Sequence, residues 1–410
     1  MGTRGHLKNC ESSARLYPCG NSLHNMKPKP GRTQTIQEAP IVKLIAESKV
    51  PADVVDFGQG VPFYGPPKEA ILAATEALDK ESGFKYSPDA GVASFRKAIA
   101  GKLAAENGVE TDSDRNIMVT AGANQAFANA MLCLTRPGDH VLVLSPYYFN
   151  HVMCIQLADC KPVIVDTDEN YQPLVESIAE RTTKRTRAVV LVSPNNPTGA
   201  VYTRNVLKEI GALCAENDMY LITDETYEHF VYNDAQHVSA LELDKTIDHT
   251  ISLFSFSKSY GMSGYRIGYA VFPKDIYNEM LKVQDTLTIC APSSLQAAAE
   301  AAIRLGAAYP RQFIPRIERV RKILIEKLAH LDSAEMPITN GSYYFLLKLR
   351  TKKSDWDIAK KLIEEYGVIT IPGGVFGARY PALRVAYANA DERTAEKGTS
   401  RLITGLQEIL

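Results

Sequence analysis

The sequence predicts an α/β fold in which a mostly parallel central sheet carries helices on both faces, accompanied by a smaller α+β unit. Three observations lead there. Short β-branched runs alternate with helix-period segments after residue 67, and the runs are apolar throughout, as strands buried on both faces must be. Beyond about residue 300 the texture shifts to a long charged helix followed by separate strand and helix signals. The 410 residues are 45% hydrophobic and 23% charged with a formal net charge of -1, the profile of an ordinary globular chain that can bury a sizeable core. That balance argues against a partner bound through nucleic-acid phosphates. No apolar run approaches the roughly 18 residues that cross a bilayer, so no membrane span is expected.

Residues 1–33 carry Arg4, Lys8, Arg15, Lys27, Lys29 and Arg32 against the single acid Glu11 and show no helical or alternating period. They read as a flexible extension of a cytoplasmic protein; organelle targeting by such a basic leader is the alternative. From Thr35 onward Ile36, Val42, Leu44 and Ile45 lead through Val54-Val55-Asp56-Phe57 into the loop Gly58-Gln59-Gly60-Val61-Pro62-Phe63-Tyr64. Helical patterns follow over 67–80, 92–107, 123–134 and 203–217. Strands are expected at 117–120, 141–144, 163–165, 188–192, 220–223, 250–254 and 267–272. A charged helix over 309–331, a strand over 343–349, a helix near 354–366 and a strand over 383–388 complete the chain. Its seven cysteines form no Cys-x-x-Cys pair, which suits reduced thiols better than a disulfide framework or a zinc site.

The strongest chemical signal is Ser255-Phe256-Ser257-Lys258-Ser259-Tyr260-Gly261, running on to Arg266 and Gly268, directly after the strand over 250–254. A lysine taken alone is a solvated surface charge. At the end of a buried strand, among hydroxyls that bond phosphate oxygens and beside an arginine fork suited to a dianion, it has the ingredients of a Schiff base next to a phosphate. Desolvation and neighbouring cations lower an amine's pKa and make it a nucleophile toward an aldehyde. This segment resembles the lysine motif of the class I aminotransferases, pyridoxal-phosphate enzymes of the aspartate aminotransferase fold, and the resemblance spans most of residues 34–410.

The resemblance implies pyridoxal 5'-phosphate as cofactor and a role for each of several further motifs. In Ser193-Pro194-Asn195-Asn196-Pro197-Thr198-Gly199, an Asn-Pro turn after a strand, Asn196 corresponds to the residue that contacts the ring oxygen and the substrate carboxylate. Asp224, at a strand end where an acid is often a helix cap, corresponds to the carboxylate that pairs with the pyridine nitrogen; Tyr227 corresponds to the phenol on the ring oxygen. Ala123 and Asn124 open a helix whose backbone amides can bind phosphate, joined by Ser255, Ser257 and Arg266. Tyr148, otherwise a core tyrosine, matches the residue that stacks on the ring. Arg384, between apolar neighbours, matches the bidentate partner of the substrate carboxylate, with Gly60 also on the substrate side. Tyr86 matches the tyrosine that reaches a partner subunit's cofactor, which implies a homodimer with shared active sites.

The implied organisation is an extension at 1–33, residues 34–66 as the first part of a small domain, 67–300 as a large cofactor-binding domain and 301–410 as a small C-terminal domain. The implied reaction moves an amino group between an L-amino acid and a 2-oxo acid by a ping-pong mechanism, with Lys258 first holding the cofactor and then acting as general base. Carbon-sulfur or aminocyclopropane-forming lyases on the same fold are the alternative outcome. A regulator of this fold needs an added DNA-binding domain for which the extension is too short, and no Gly-x-Gly-x-x-Gly follows a strand to support a nicotinamide dehydrogenase. The strings around Ala121, Pro146 and Lys258 resemble the plant aromatic and methionine aminotransferase branch. Asn124 offers no charge to a distal carboxylate and the loop from Gly60 to Tyr64 is apolar and aromatic, so aromatic amino acids or methionine are expected in preference to aspartate, with an aspartate or broad-specificity enzyme as the alternative.

Overall fold

A computed structural model describes residues 31–244 and 247–410 of the chain. The extension expected at 1–33 therefore lies, up to residue 30, outside the described residues. Its end is ordered: Arg32 opens a short 3-10 turn and pairs with Asp159 at 2.7 Å. Among the described residues no helix is long and apolar enough to cross a membrane.

Seven strands build the central sheet: β1 (Ile117–Thr120), β2 (His140–Ser145), β3 (Lys161–Asp166), β4 (Thr186–Val192), β5 (Tyr220–Asp224), β6 (Thr250–Ser255) and β7 (Gly268–Val271). They lie in the order β1-β7-β6-β5-β4-β2-β3. All neighbours are parallel except that β7 runs against both β1 and β6. The cause is local. Between β6 and β7 stand only a four-residue helix, Phe256–Ser259, and a 3-10 turn, too little for the covering helix that a parallel return requires.

Register then decides where chemistry can sit. Val192 pairs with Asp224 and Asp224 with Leu253, while Ser255 pairs with Gly268 and Gly268 with Thr120. The carboxyl ends of the parallel strands thus form one edge, from which the loops carrying Asn196, Asp224 and Lys258 all emerge. Helix Ala123–Leu134 packs Ala126, Phe127, Ala130 and Met131 on one face of the sheet, and helix Ala93–Asn107 packs Phe95, Ile99 and Leu103 on the other.

The second core joins the two ends of the chain. Strands β8 (Tyr344–Leu349) and β9 (Ala382–Ala386) pair antiparallel, and helices Ile314–Leu328, Asp355–Tyr366 and Glu392–Ile409 bury Leu324, Leu362 and Leu402 against them. Leu44, Val55 and Phe57 from the N-terminal segment share that core, and Val55–Asp56 pairs in parallel with Val368–Ile369. The single helix expected over 309–331 is instead two, Ala308–Arg311 and Ile314–Leu328. Pro315 lies in the first turn of the second, where its missing N–H costs nothing, and it could not continue a helix already under way. The strand expected over 267–272 is shorter, Gly268–Val271.

Gly268 is where strand and helix meet most closely. A Cβ there would stand 2.6 Å from the Phe254 carbonyl oxygen and 2.8 Å from the Ala123 nitrogen, both backbone atoms that cannot move aside. Gly268→Ala is expected to destabilise the cofactor-free protein by about 1–3 kcal/mol, read as a lower urea midpoint.

Candidate active site

A cavity of ≈ 180 Å³ opens at the carboxyl edge of the sheet. It brings together nearly every residue singled out in the sequence: Gly60, Ala123, Asn124, Tyr148, Asn196, Asp224, Tyr227, Ser255, Ser257, Lys258, Arg266 and Arg384 all line it. Tyr86 does not; it is 80% exposed on the surface of its own chain.

Lys258 sits on the short helix after β6, and its Nζ donates to the carbonyl oxygen of Gly60. Burial, then the nearby guanidinium groups of Arg384 and Arg266, lower its ammonium from the ordinary 10.5 to about 8, against an opposing pull from Asp224. The lysine turn is gripped from behind. Tyr64 Oη donates to the Lys258 and Ser259 carbonyl oxygens at 3.0 and 3.2 Å, and the His229 ring bridges Ser259 Oγ at 2.9 Å and Glu106 Oε2 at 3.0 Å. Ser255 caps the turn, its Oγ accepting from the Ser257 N–H at 3.1 Å.

Asp224 ends β5 almost fully buried. Burial pushes its carboxyl up, but hydrogen bonds from His151 Nε2 at 3.2 Å and the Thr226 N–H at 3.1 Å outweigh that and hold it below the usual carboxylate value. It is therefore ionised at neutral pH. Arg384 on β9 is 3% exposed. Its Nη1 donates to Asn196 Oδ1 at 3.0 Å and its Nη2 to the Gly58 carbonyl oxygen at 2.5 Å, while Nε is buried without a partner. Arg266 reaches the Ser257 hydroxyl at 3.4 Å from a left-handed backbone, φ 54° and ψ 52°, a conformation that costs a non-glycine residue about 1 kcal/mol or more and concentrates at functional sites. Helix Ala123–Leu134 starts beside it with Gly122 as its N-cap, so a helix N-terminus, two hydroxyls and one guanidinium converge on one end of the cavity.

Five lining residues fall outside the site expected from the sequence: Ile41, Phe149, Val192, Thr226 and Tyr344. Tyr344 hides inside the apolar strand β8, and His151, which supports the site through Asp224 without lining the cavity, inside the apolar helix Phe149–Leu157, where each reads as core. Ile41 comes from helix Pro40–Ala46, a seven-residue element too short to show a period, and Phe149 follows Tyr148. The aromatic wall expected from the loop Gly60–Tyr64 is not there: only Gly60 reaches the cavity. Phe63 and Tyr64 turn away onto Phe313, the second stacked on it at 3.8 Å, because that face offers apolar partners. Apolar surface at the cavity comes from Ile41, Phe149 and Val192 instead.

The family model for aminotransferase class I and II matches residues 52–402. The chain belongs to that family. It is 32% identical over 371 residues to an aspartate aminotransferase of Pyrococcus abyssi, covering 89% of this chain and 95% of that one. It is also 32% identical over 382 residues to an aromatic aminotransferase of Arabidopsis thaliana, covering 91% and 94%. Among solved structures, a single mutant of the Thermus thermophilus aspartate aminotransferase superposes with a TM-score of 0.86 at 31% identity, over 93% of this chain and all of that one. The protein is accordingly an aminotransferase of the aspartate aminotransferase fold.

The lowered Lys258 ammonium carries a measurable cost in this aminotransferase. Below pH 8 the amine is charged both folded and unfolded, so the folded state bears the whole penalty; between 8 and 10.5 the unfolded chain holds the proton more tightly, and stability rises with pH. Allowing for screening across the cavity, the penalty is about 1–3 kcal/mol. Lys258→Met should raise the stability of the cofactor-free protein by that amount at pH 7, and the gain should shrink at pH 9.5. A variant no more stable at pH 7 would show that the amine is not desolvated.

Proposed function

We propose that this enzyme uses pyridoxal 5'-phosphate to move the amino group of an aromatic amino acid or methionine to a 2-oxo acid, in two half-reactions at the same cavity. The observation that carries the reading is the Lys258 amine, held beside an ionised Asp224 and lowered to about 8 by burial and two arginines. The donor set fits the cofactor: an amine for its aldehyde, a carboxylate for its ring nitrogen, phenol and amide groups of Tyr227 and Asn196 for its ring oxygen, and the Ala123 helix start with Ser255, Ser257 and Arg266 for its phosphate. Bound there, pyridoxal 5'-phosphate supplies a ring that withdraws electrons from the substrate's α-carbon.

The chain's own residues do the rest. Asp224, kept ionised by His151 and Thr226, would stabilise a proton on the ring nitrogen. Tyr148, which lines the same cavity, would cover the ring face. Arg384, with Nε unpaired and its fork anchored by Asn196 and Gly58, takes the substrate carboxylate. Lys258 would carry the proton to and from the α-carbon; a value near 8 leaves a useful neutral fraction at physiological pH.

Specificity follows from what else faces the cavity. Among the described residues its cationic lining residues are Lys258, Arg266 and Arg384, each with work already described, so a distal carboxylate on the substrate meets no further lining cation among them. A ring or thioether meets Ile41 and Phe149 instead. Phe84 and Tyr86, 73% and 80% exposed, lie on a surface stretch suited to a second copy of the chain, and Tyr86 would serve that copy's site in a homodimer.

Borohydride reduction of the yellow protein is expected to fix one cofactor on Lys258, found by peptide mass, and Lys258→Ala should carry no label. Asp224→Ala should keep the phosphate end of the site and lose about 10²–10³-fold in turnover. In a panel of donors, phenylalanine, tyrosine, tryptophan and methionine should show higher kcat/KM than aspartate; the reverse order refutes the substrate preference and leaves the aminotransferase standing.

A further inference from the structure

Tyr344 occupies a position that neither the motifs nor the comparisons single out. It lies on β8, 1% exposed, with its hydroxyl 2.7 Å from that of Tyr227. Its ring carries the Arg384 guanidinium at 4.5 Å, with Phe376 contacting the same guanidinium at 4.9 Å. The hydroxyl also determines what Gly60 can be, since a Cβ at residue 60 would stand 1.9 Å from it. One side chain therefore touches the phenol proposed for the ring oxygen, the arginine proposed for the carboxylate and the glycine whose carbonyl receives Lys258.

We infer that Tyr344 is the positioning residue that sets Tyr227 and Arg384 together, its hydroxyl directing the Tyr227 proton into the cavity and its ring seating the Arg384 guanidinium. Two phenols in contact share one hydrogen bond, and either oxygen can donate it. A cation over the Tyr344 ring withdraws electron density and makes that hydroxyl the better donor. Tyr344 then donates to Tyr227 Oη, which leaves the Tyr227 proton free for an acceptor in the cavity and strengthens it as a donor there. On the other side, the Arg384 fork is fixed at Nη1 and Nη2 but not at Nε, so the ring beneath it supplies the remaining constraint on its plane. The inference rests on the cofactor reading above and adds to it a lining residue that acts through Tyr227 and Arg384.

Two variants separate hydroxyl from ring, with melting of the cofactor-free proteins as the check on folding. In the holoenzyme, Tyr344→Phe should raise the pKa of the bound cofactor's visible absorption band by about 0.7 unit, one neutral hydrogen bond's worth, because Tyr227 becomes a weaker donor to the ring oxygen. Its affinity for 3-phenylpropionate, a carboxylate that cannot react, should stay within about twofold of wild type, since the ring remains. Tyr344→Leu should weaken 3-phenylpropionate about five- to tenfold by calorimetry. An unchanged absorption pKa in Tyr344→Phe overturns the inference while the wild-type band upholds the cofactor; a wild-type protein that gains no band with pyridoxal 5'-phosphate overturns both. Wild-type affinity for the analogue in Tyr344→Leu overturns the seating of Arg384. If Tyr344→Leu does not fold, the phenylalanine variant decides alone.

Discussion

An amine taken out of water prefers to lose its proton, and two guanidinium groups nearby strengthen that preference. Lys258 is under both pressures, and the rest of the cavity is organised around them. The Gly60 carbonyl gives the amine one acceptor, and Asp224 gives the site its opposing charge. Asp224 can stay ionised while buried only because His151 and the Thr226 N–H are spent on it.

The sheet converts this requirement into geometry. Parallel strands deliver their carboxyl ends to one edge, and the reversal of β7 lets the chain double back so that the Lys258 turn and the Ala123 helix start face each other across Gly268. Loops that emerge from a sheet edge are ordinarily loose. The lysine turn is not, because Tyr64 holds its carbonyls and the His229 bridge runs from Ser259 to Glu106, which in turn accepts the Ala307 N–H at 2.7 Å. A turn fixed from the rear leaves its lysine free to move only on the side where the cavity lies.

Much of this was legible in the sequence, and the exceptions have physical reasons. The seven sheet strands announce themselves as short β-branched runs, and Asn196, Asp224 and Lys258 stand in contiguous motifs at strand ends where polar residues have no packing reason to be. Tyr344 and His151 do the opposite. They lie within apolar runs, and their work is defined by partners more than seventy residues away, Tyr227 by 117 positions and Asp224 by 73. The helix Glu392–Ile409 carries a plain signal, with Asp391 as N-cap and buried Ala395, Thr399, Leu402, Leu406 and Ile409 at helical spacing, that the strand-centred reading left unassigned. Helix Ser293–Ile303 shows little contrast between faces because alanine is small on every side. The loop at Gly60–Tyr64 is apolar by composition, but composition alone does not say which way an aromatic ring turns.

The shared core of the chain's two ends has a consequence for biosynthesis. Gly58, whose carbonyl oxygen accepts from Arg384, emerges 326 residues ahead of its partner. At ribosomal speeds of about 5–20 residues per second, that interval is on the order of tens of seconds. For most of it Leu44, Val55 and Phe57 wait for their native partners, because helix Ile314–Leu328 and the strand at Val368–Ile369 emerge only late in the interval, while the central sheet can already assemble behind them. The nascent chain therefore carries an apolar N-terminal segment in waiting, a natural target for a holdase chaperone, and the corner of the cavity built on Arg384 is the last part of the site to be completed.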